Sequence, residues 1–133
     1  MKGYLTHIEE ATLENTDYRR VLYTSRNLQL VLMALEPGEE IGEETHQLDQ
    51  FIRVEMGAGE AHLDGVVQVL ASEMAVIIPA GIRHNVVNTG TEPLKLYTLY
   101  GPPAHKDGTV QPTKADEREE HFDGVTTEPF PEA

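Results

Sequence analysis

The feature that most constrains this chain is a succession of short apolar runs, each closed within a few residues by a turn signal. Gln29-Leu30-Val31-Leu32-Met33-Ala34-Leu35 ends at Glu36-Pro37-Gly38, and Phe51-Ile52-Arg53-Val54 runs into Gly57-Ala58-Gly59. Val76-Ile77-Ile78 reads as a buried strand that stops at Pro79-Ala80-Gly81. Asn85 to Asn88 and Leu94 to Tyr100 form two more runs on either side of Thr89-Gly90-Thr91-Glu92-Pro93. Segments this short, bounded by Gly and Pro, are strands. Glu60 to Leu63 and Val66 to Leu70 flank Asp64-Gly65, a two-residue loop that favours a type I′ hairpin because both central positions need positive φ. Residues 4 to 35 read as two or three short strands. The pattern predicts an all-β barrel or sandwich.

A length of 133 residues fits one core. After Gly101-Pro102-Pro103 the chain turns acidic and Pro-rich and loses its aliphatic residues. This divides it into a barrel with its N-terminal strands, residues 1–103, and an acidic tail, residues 104–133. Thr113 is expected to cap a short helix from Lys114 to about His121, with Asp116 closing a capping box. The rest of the tail is expected to lie over the barrel or to be partly disordered.

The formal net charge of −13 argues against a nucleic-acid partner, which needs clustered Lys and Arg, and against an anionic membrane surface. With no Cys there is no disulfide framework and no thiolate ligand. No apolar run is long enough for a membrane span, and Met1-Lys2-Gly3-Tyr4 does not open a signal core. The expectation is a soluble, cytoplasmic protein with a small-molecule substrate.

Glu44, His46 and Gln50 stand at even intervals. On a strand such residues share a face. If that face points into a barrel, a carboxylate, an imidazole and an amide converge there. His84 joins them from a later strand, directed inward by the turn at Pro79-Ala80-Gly81. Burying these groups unpaired is costly, and one divalent cation satisfies all four. Two imidazoles with oxygen donors suit Mn, Fe, Ni, Co or Zn.

These residues also resemble the two motifs of the cupin superfamily. The first is matched in spacing by Gly38, Glu44-Thr45-His46, Gln50 and Gly57. The second, Pro-x-Gly-x-x-His-x-x-x-Asn, is present as Pro79, Gly81, His84 and Asn88. Three positions depart from the pattern: Glu44 replaces a His, Gln50 replaces a Glu, and Glu73 replaces the Gly that opens the second motif. The resemblance implies a double-stranded β-helix, a jelly-roll-like barrel with a short C-terminal helix or tail. It implies one divalent metal held by Glu44, His46, Gln50 and His84, and a homodimer. It is similar to the small stand-alone cupins of the mannose-6-phosphate isomerase-like group. The function this implies is metal-dependent isomerisation or ring-opening of a small sugar-like or oxygenated substrate. Two alternatives stay open: an Fe-dependent dioxygenase on two His and a carboxylate, and a non-catalytic module that binds a small ligand.

Other candidates have plainer readings. Asn88 is expected to satisfy backbone at a strand end, and Arg53 to face outward. Tyr97 and Tyr100 are expected to pack at the barrel mouth. His105 reads as a solvated loop residue, although it is placed to fold over that mouth. His62 is expected to be exposed, and His7 and His121 have no evident partners. Asp116 to Glu120 reads as a solvated helix face, and Glu43 and Glu73 as surface turn residues.

Overall fold

The computed structural model describes residues 1–129. One helix, α1 (Ile8–Glu14), precedes nine strands: β1 (Arg19–Thr24), β2 (Gln29–Leu35), β3 (Asp49–Met56), β4 (Ala58–Leu63), β5 (Val66–Ala71), β6 (Ala75–Ile78), β7 (His84–Val87), β8 (Leu94–Gly101) and β9 (Val110–Gln111). They form a six-stranded sheet in the order β6-β3-β8-β2-β1-β9 and a three-stranded sheet in the order β5-β4-β7. Every pairing is antiparallel. The architecture is the expected double-stranded β-helix.

The alternation that made these strands legible also builds the core. In β3 the side chains of Gln50, Ile52 and Val54 are buried while their neighbours are not, and in β8 Leu94, Leu96, Thr98 and Tyr100 are buried at every second position. Val31, Met33 and Leu35 of β2 meet them, and Ala61, Leu70, Ile78 and Val86 come from the other strands. Full burial of such side chains contributes roughly 1.5–3 kcal/mol each.

The Asp64-Gly65 hairpin is as expected, with φ of 49° and 84°. At the other end of β4 the break lies at Gly57 alone, while Ala58 and Gly59 already belong to the strand. Gly57 has φ of 92°, and a Cβ there would stand 2.6 Å from the Pro93 carbonyl oxygen. Only glycine fits that combination.

Three expectations need correction. Residues 4 to 35 hold two strands, within the expected number, but a helix that was not expected precedes them. In α1, Glu9 and Glu10 occupy the first turn, where the helix dipole favours acids, and Thr12 is buried with its hydroxyl bonded to the Ile8 carbonyl. The helix lies against β3 and β8. Strand β6 buries only Ile78. It pairs with β3 alone and forms the sheet edge, which leaves Ile77 69% exposed. The expected helix from Lys114 shrinks to a three-residue 3₁₀ turn, Lys114–Asp116, although the Thr113–Asp116 capping box is present. Glu117 leaves the turn with ψ of 130°, and its carboxylate accepts from Tyr18 and Arg19.

Beyond Gly101 the chain stays on the barrel. β9 pairs with β1, and Thr109 and Gln111 are buried. His105 and His121 form an isolated antiparallel bridge, and Thr127 donates its N–H to the Thr24 carbonyl. The last four residues of the expected tail lie outside the described residues.

Candidate metal centre

The centre is assembled where the two motifs touch. The turn at Pro79-Ala80-Gly81 sends the Gly81 N–H to the His46 carbonyl at 2.8 Å. His84 opens β7 and is 5% exposed. Its Nδ1 lies 2.8 Å from the Ile82 carbonyl oxygen. That carbonyl only accepts, so Nδ1 carries a proton, and in the neutral ring the lone pair lies on Nε2. Histidine ligands are oriented in this way. The His84 Nε2 atom is buried with no hydrogen-bond partner.

Glu44 meets His84 through a two-bond backbone bridge, and Glu44 Oε1 lies 4.0 Å from His84 Nε2. The rings of His46 and His84 stand 4.6 Å apart, steeply tilted. Ligating atoms of Glu44, His46 and His84 all fall within 4.8 Å of one another. His46 Nε2 is 3.2 Å from Gln50 Oε1, while the Gln50 amide donates to Thr98 Oγ1 at 3.0 Å. Thr98 therefore aims the amide oxygen of Gln50 at His46. The expected strand parity holds only for Gln50, which lies on β3. Glu44 sits in an isolated bridge and His46 in a loop, so a turn rather than pleating brings them beside His84.

A cavity of about 340 Å³ opens beside Glu44 and His46, walled also by Arg19, Tyr100, His105, Glu117 and His121. Burial pushes the Tyr100 hydroxyl up to about 12, against the pull of Arg19 and with Glu44 adding to the rise. Burial likewise holds the His105 imidazole down to about 3, and Arg19, His121 and His46 act in the same direction. Among the described residues, four buried side-chain atoms lack a hydrogen-bond partner: Arg19 Nε, His46 Nδ1, His84 Nε2 and His105 Nε2. All four belong to residues at this one end of the barrel. Buried polar atoms are rarely left unpaired, and a cluster of them marks a place built for something else.

The plainer readings divide. Asn88 is structural as expected, its amide bonded to the Leu35 and Glu92 carbonyls and its oxygen accepting from the Gly90 N–H. Arg53 faces outward and pairs with Glu55 at 2.6 Å. His62 is half-exposed beside Glu60. Tyr97 is not at the mouth: β8 parity turns it to the outer face, where its ring is 6.2 Å from that of Phe51. Tyr100 is at the mouth, 5.3 Å from the His105 ring. His105 is not a solvated loop residue, and His121 has a partner in it. Arg19, Glu117 and His121 were not expected here at all. Arg19 shares strand parity with buried Val21, a signal the sequence carried.

The Cupin domain family profile matches residues 31–100. The chain is 44% identical over 123 residues to the uncharacterized protein YrkC of Bacillus subtilis, covering 86% of this chain and 66% of that protein. It is 44% identical over 113 residues to the uncharacterized protein L612 of Acanthamoeba polyphaga mimivirus, covering 80% and 70%. The chain thus spans about two thirds of the length of these curated relatives. The crystal structure of BH2720 from Bacillus halodurans superposes with a TM-score of 0.85 at 43% identity, over 86% of this chain and 92% of that one.

Proposed function

The chain belongs to the cupin family, and on that footing we propose that it is a metal-dependent enzyme that isomerises or ring-opens a small oxygenated, sugar-like substrate. The observation that carries this reading is the set of orphaned buried nitrogens on His46 and His84 beside the Glu44 carboxylate. Two imidazoles and a carboxylate suit a divalent transition ion such as Mn, Fe, Co, Ni or Zn, with the Gln50 oxygen next to His46. A bound ion supplies Lewis-acid polarisation of a substrate oxygen, worth several kcal/mol.

The chain's own groups have distinct tasks in this reading. Ile82 holds the proton of His84 at Nδ1, and Thr98 orients the amide of Gln50. Tyr100 stays protonated at neutral pH, so its hydroxyl donates to a substrate oxygen rather than acting as a base. His105 stays neutral, and its unpartnered Nε2 is left to hydrogen-bond a substrate group; an imidazole held this far down is too weak a base to take the proton itself. The segment from Glu117 to His121 covers the mouth and limits water. Membership of the mannose-6-phosphate isomerase-like group is part of the same proposal.

The test is metal analysis of protein purified without chelator, followed by a search for deuterium uptake from heavy water into a panel of aldoses, ketoses and sugar acids. About one equivalent of metal and exchange at the carbon next to the carbonyl are expected. Protein that takes up no divalent ion sinks the metal reading, and metal-loaded protein that exchanges none of the panel sinks the isomerase. Two His and one carboxylate also favour a second reading, an Fe(II) oxygenase. Its mark is oxygen uptake when Fe(II)-loaded protein and substrate meet air.

A further inference from the structure

Arg19 brings a full positive charge into the barrel. Its side chain is 5% exposed and lines the cavity beside the proposed metal centre. Nη1 donates to Gln111 Oε1 at 2.7 Å and to Glu117 Oε2 at 3.1 Å, while Nε is buried with no partner among the described residues. A guanidinium has five N–H donors in a planar fork, the shape that reads a carboxylate. The Tyr18 ring, 5.2 Å from Cζ, steadies it. The strand, the ring and Gln111 therefore hold this cation in place, yet they leave donors unused.

Glu117 is differently placed. Its carboxylate is 34% exposed and hangs from the end of a three-residue turn in the chain that crosses the mouth. The carboxylate already on Arg19 is thus the movable partner of the pair. Other acids of the cavity wall, Glu43, Glu119 and Glu120, are exposed at the rim, where solvent screens them. Deeper in, the positive groups are Arg19 and the ion that Glu44, His46 and His84 would hold.

We propose that the cavity takes a small organic acid, whose carboxylate replaces Glu117 on Arg19 while a neighbouring oxygen turns toward Glu44, His46 and His84. The exchange keeps a counter-ion on the buried guanidinium throughout, which an uncharged ligand does not do. The cavity volume sits at the small end of ligand pockets, as a short-chain acid requires. The second half of the proposal rests on the metal reading above; the first half rests on Arg19 and Glu117 alone.

The experiment is calorimetric titration of the full-length, metal-loaded protein with glycolate and lactate, each set against its uncharged amide. The acids are expected to bind at least tenfold more tightly than the amides. Glu117→Gln removes the internal competitor and is expected to tighten the acids about tenfold while leaving the amides unchanged. Arg19→Gln is expected to weaken the acids at least tenfold. If that variant does not fold, the Glu117→Gln comparison decides alone. Acids that bind no better than amides, or acids that Glu117→Gln leaves unchanged, overturn the proposal. Metal content measured on the same samples separates the two readings. Metal present without acid preference sinks this inference only, and acid preference in protein that takes up no divalent ion sinks the metal reading only.

Discussion

Glu44 and His84 face each other across an isolated antiparallel bridge, each donating its N–H to the other's carbonyl at 2.9 Å, with Glu44 Oε1 4.0 Å from His84 Nε2. The backbone alone makes the bridge, so the two side chains are free to serve a ligand. Glu44→Ala is therefore expected to leave metal-free stability within about 0.5 kcal/mol of wild type, since its side chain is half-exposed. It should lower affinity for a divalent ion by at least the roughly 10–100-fold that even an outer partner's loss costs. Competition against a chelator measures this. An Ala variant with undiminished affinity excludes Glu44 as a ligand.

Glu73 stands at φ of 71°, a left-handed conformation, where the cupin pattern has a Gly. A side chain there costs roughly 1–2 kcal/mol, partly offset by the greater unfolded-state freedom of Gly. Its N–H bond to the Val54 carbonyl at 2.8 Å survives substitution. Glu73→Gly should stabilise the protein by about 0.5–1 kcal/mol, read as a raised urea midpoint. A lowered midpoint would mean that the exposed Glu73 side chain compensates for the strain.

Much of the barrel was legible because its signals are local. Asp64-Gly65 carries its own turn chemistry, and the alternation in Leu94 to Tyr100 names its own inner face. The pair of motifs located Glu44, His46 and His84 although the expected strand through Glu44 is a bridge and a loop. The spacing is preserved by the Gly81–His46 bond, which no periodicity records. The far wall was illegible for a different reason. Arg19 and Glu117 are 98 positions apart, and the stretch after Gly101 has the composition of a solvated tail. Pairing of β9 with β1, the Thr127 bond to Thr24 and the bonds of the Gln29 side chain fold it back. An acidic segment held by a few side-chain anchors has no periodic signature to read.

His105 makes stability depend on pH. Burial holds its imidazole down to about 3, whereas the unfolded chain titrates near 6.5. Between those values the unfolded state binds a proton that the folded state refuses, so stability is lost as pH falls through the window. His105 retains some exposure, and an isolated bridge such as that to His121 is the kind of contact that opens short of global unfolding, so the loss is expected at roughly 1–3 kcal/mol. Urea midpoints of metal-free protein at pH 7, 5 and 4 should show the decline. His105→Gln, which does not titrate, should flatten it. A slope unchanged by that variant would assign the acid sensitivity to other groups.

Gln29 ties the returning chain to the barrel. It is fully buried, and its amide donates to Thr24 Oγ1 at 2.9 Å and to the His105 carbonyl at 2.8 Å. Its oxygen accepts the N–H groups of Ala104 and His105 at 3.1 and 3.0 Å. One side chain thus spends its whole hydrogen-bonding capacity, three bonds of it on the backbone that carries His105 into the cavity wall. Gln29→Leu keeps the volume but strands two N–H groups and a carbonyl. With unpaired buried groups at about 1–3 kcal/mol each and partial relief by water, the cost should be about 2–4 kcal/mol. The loss should also be local before it is global. Amide hydrogen exchange at Ala104 and His105 should accelerate well below the unfolding midpoint, while Val31 and Leu96 in the sheet keep their protection. Uniform acceleration across all four would show that Gln29 supports the whole barrel rather than the wall of the site. In that case the wall and the core unfold as one unit, and the mouth has no independent mobility through which Glu117 could leave Arg19.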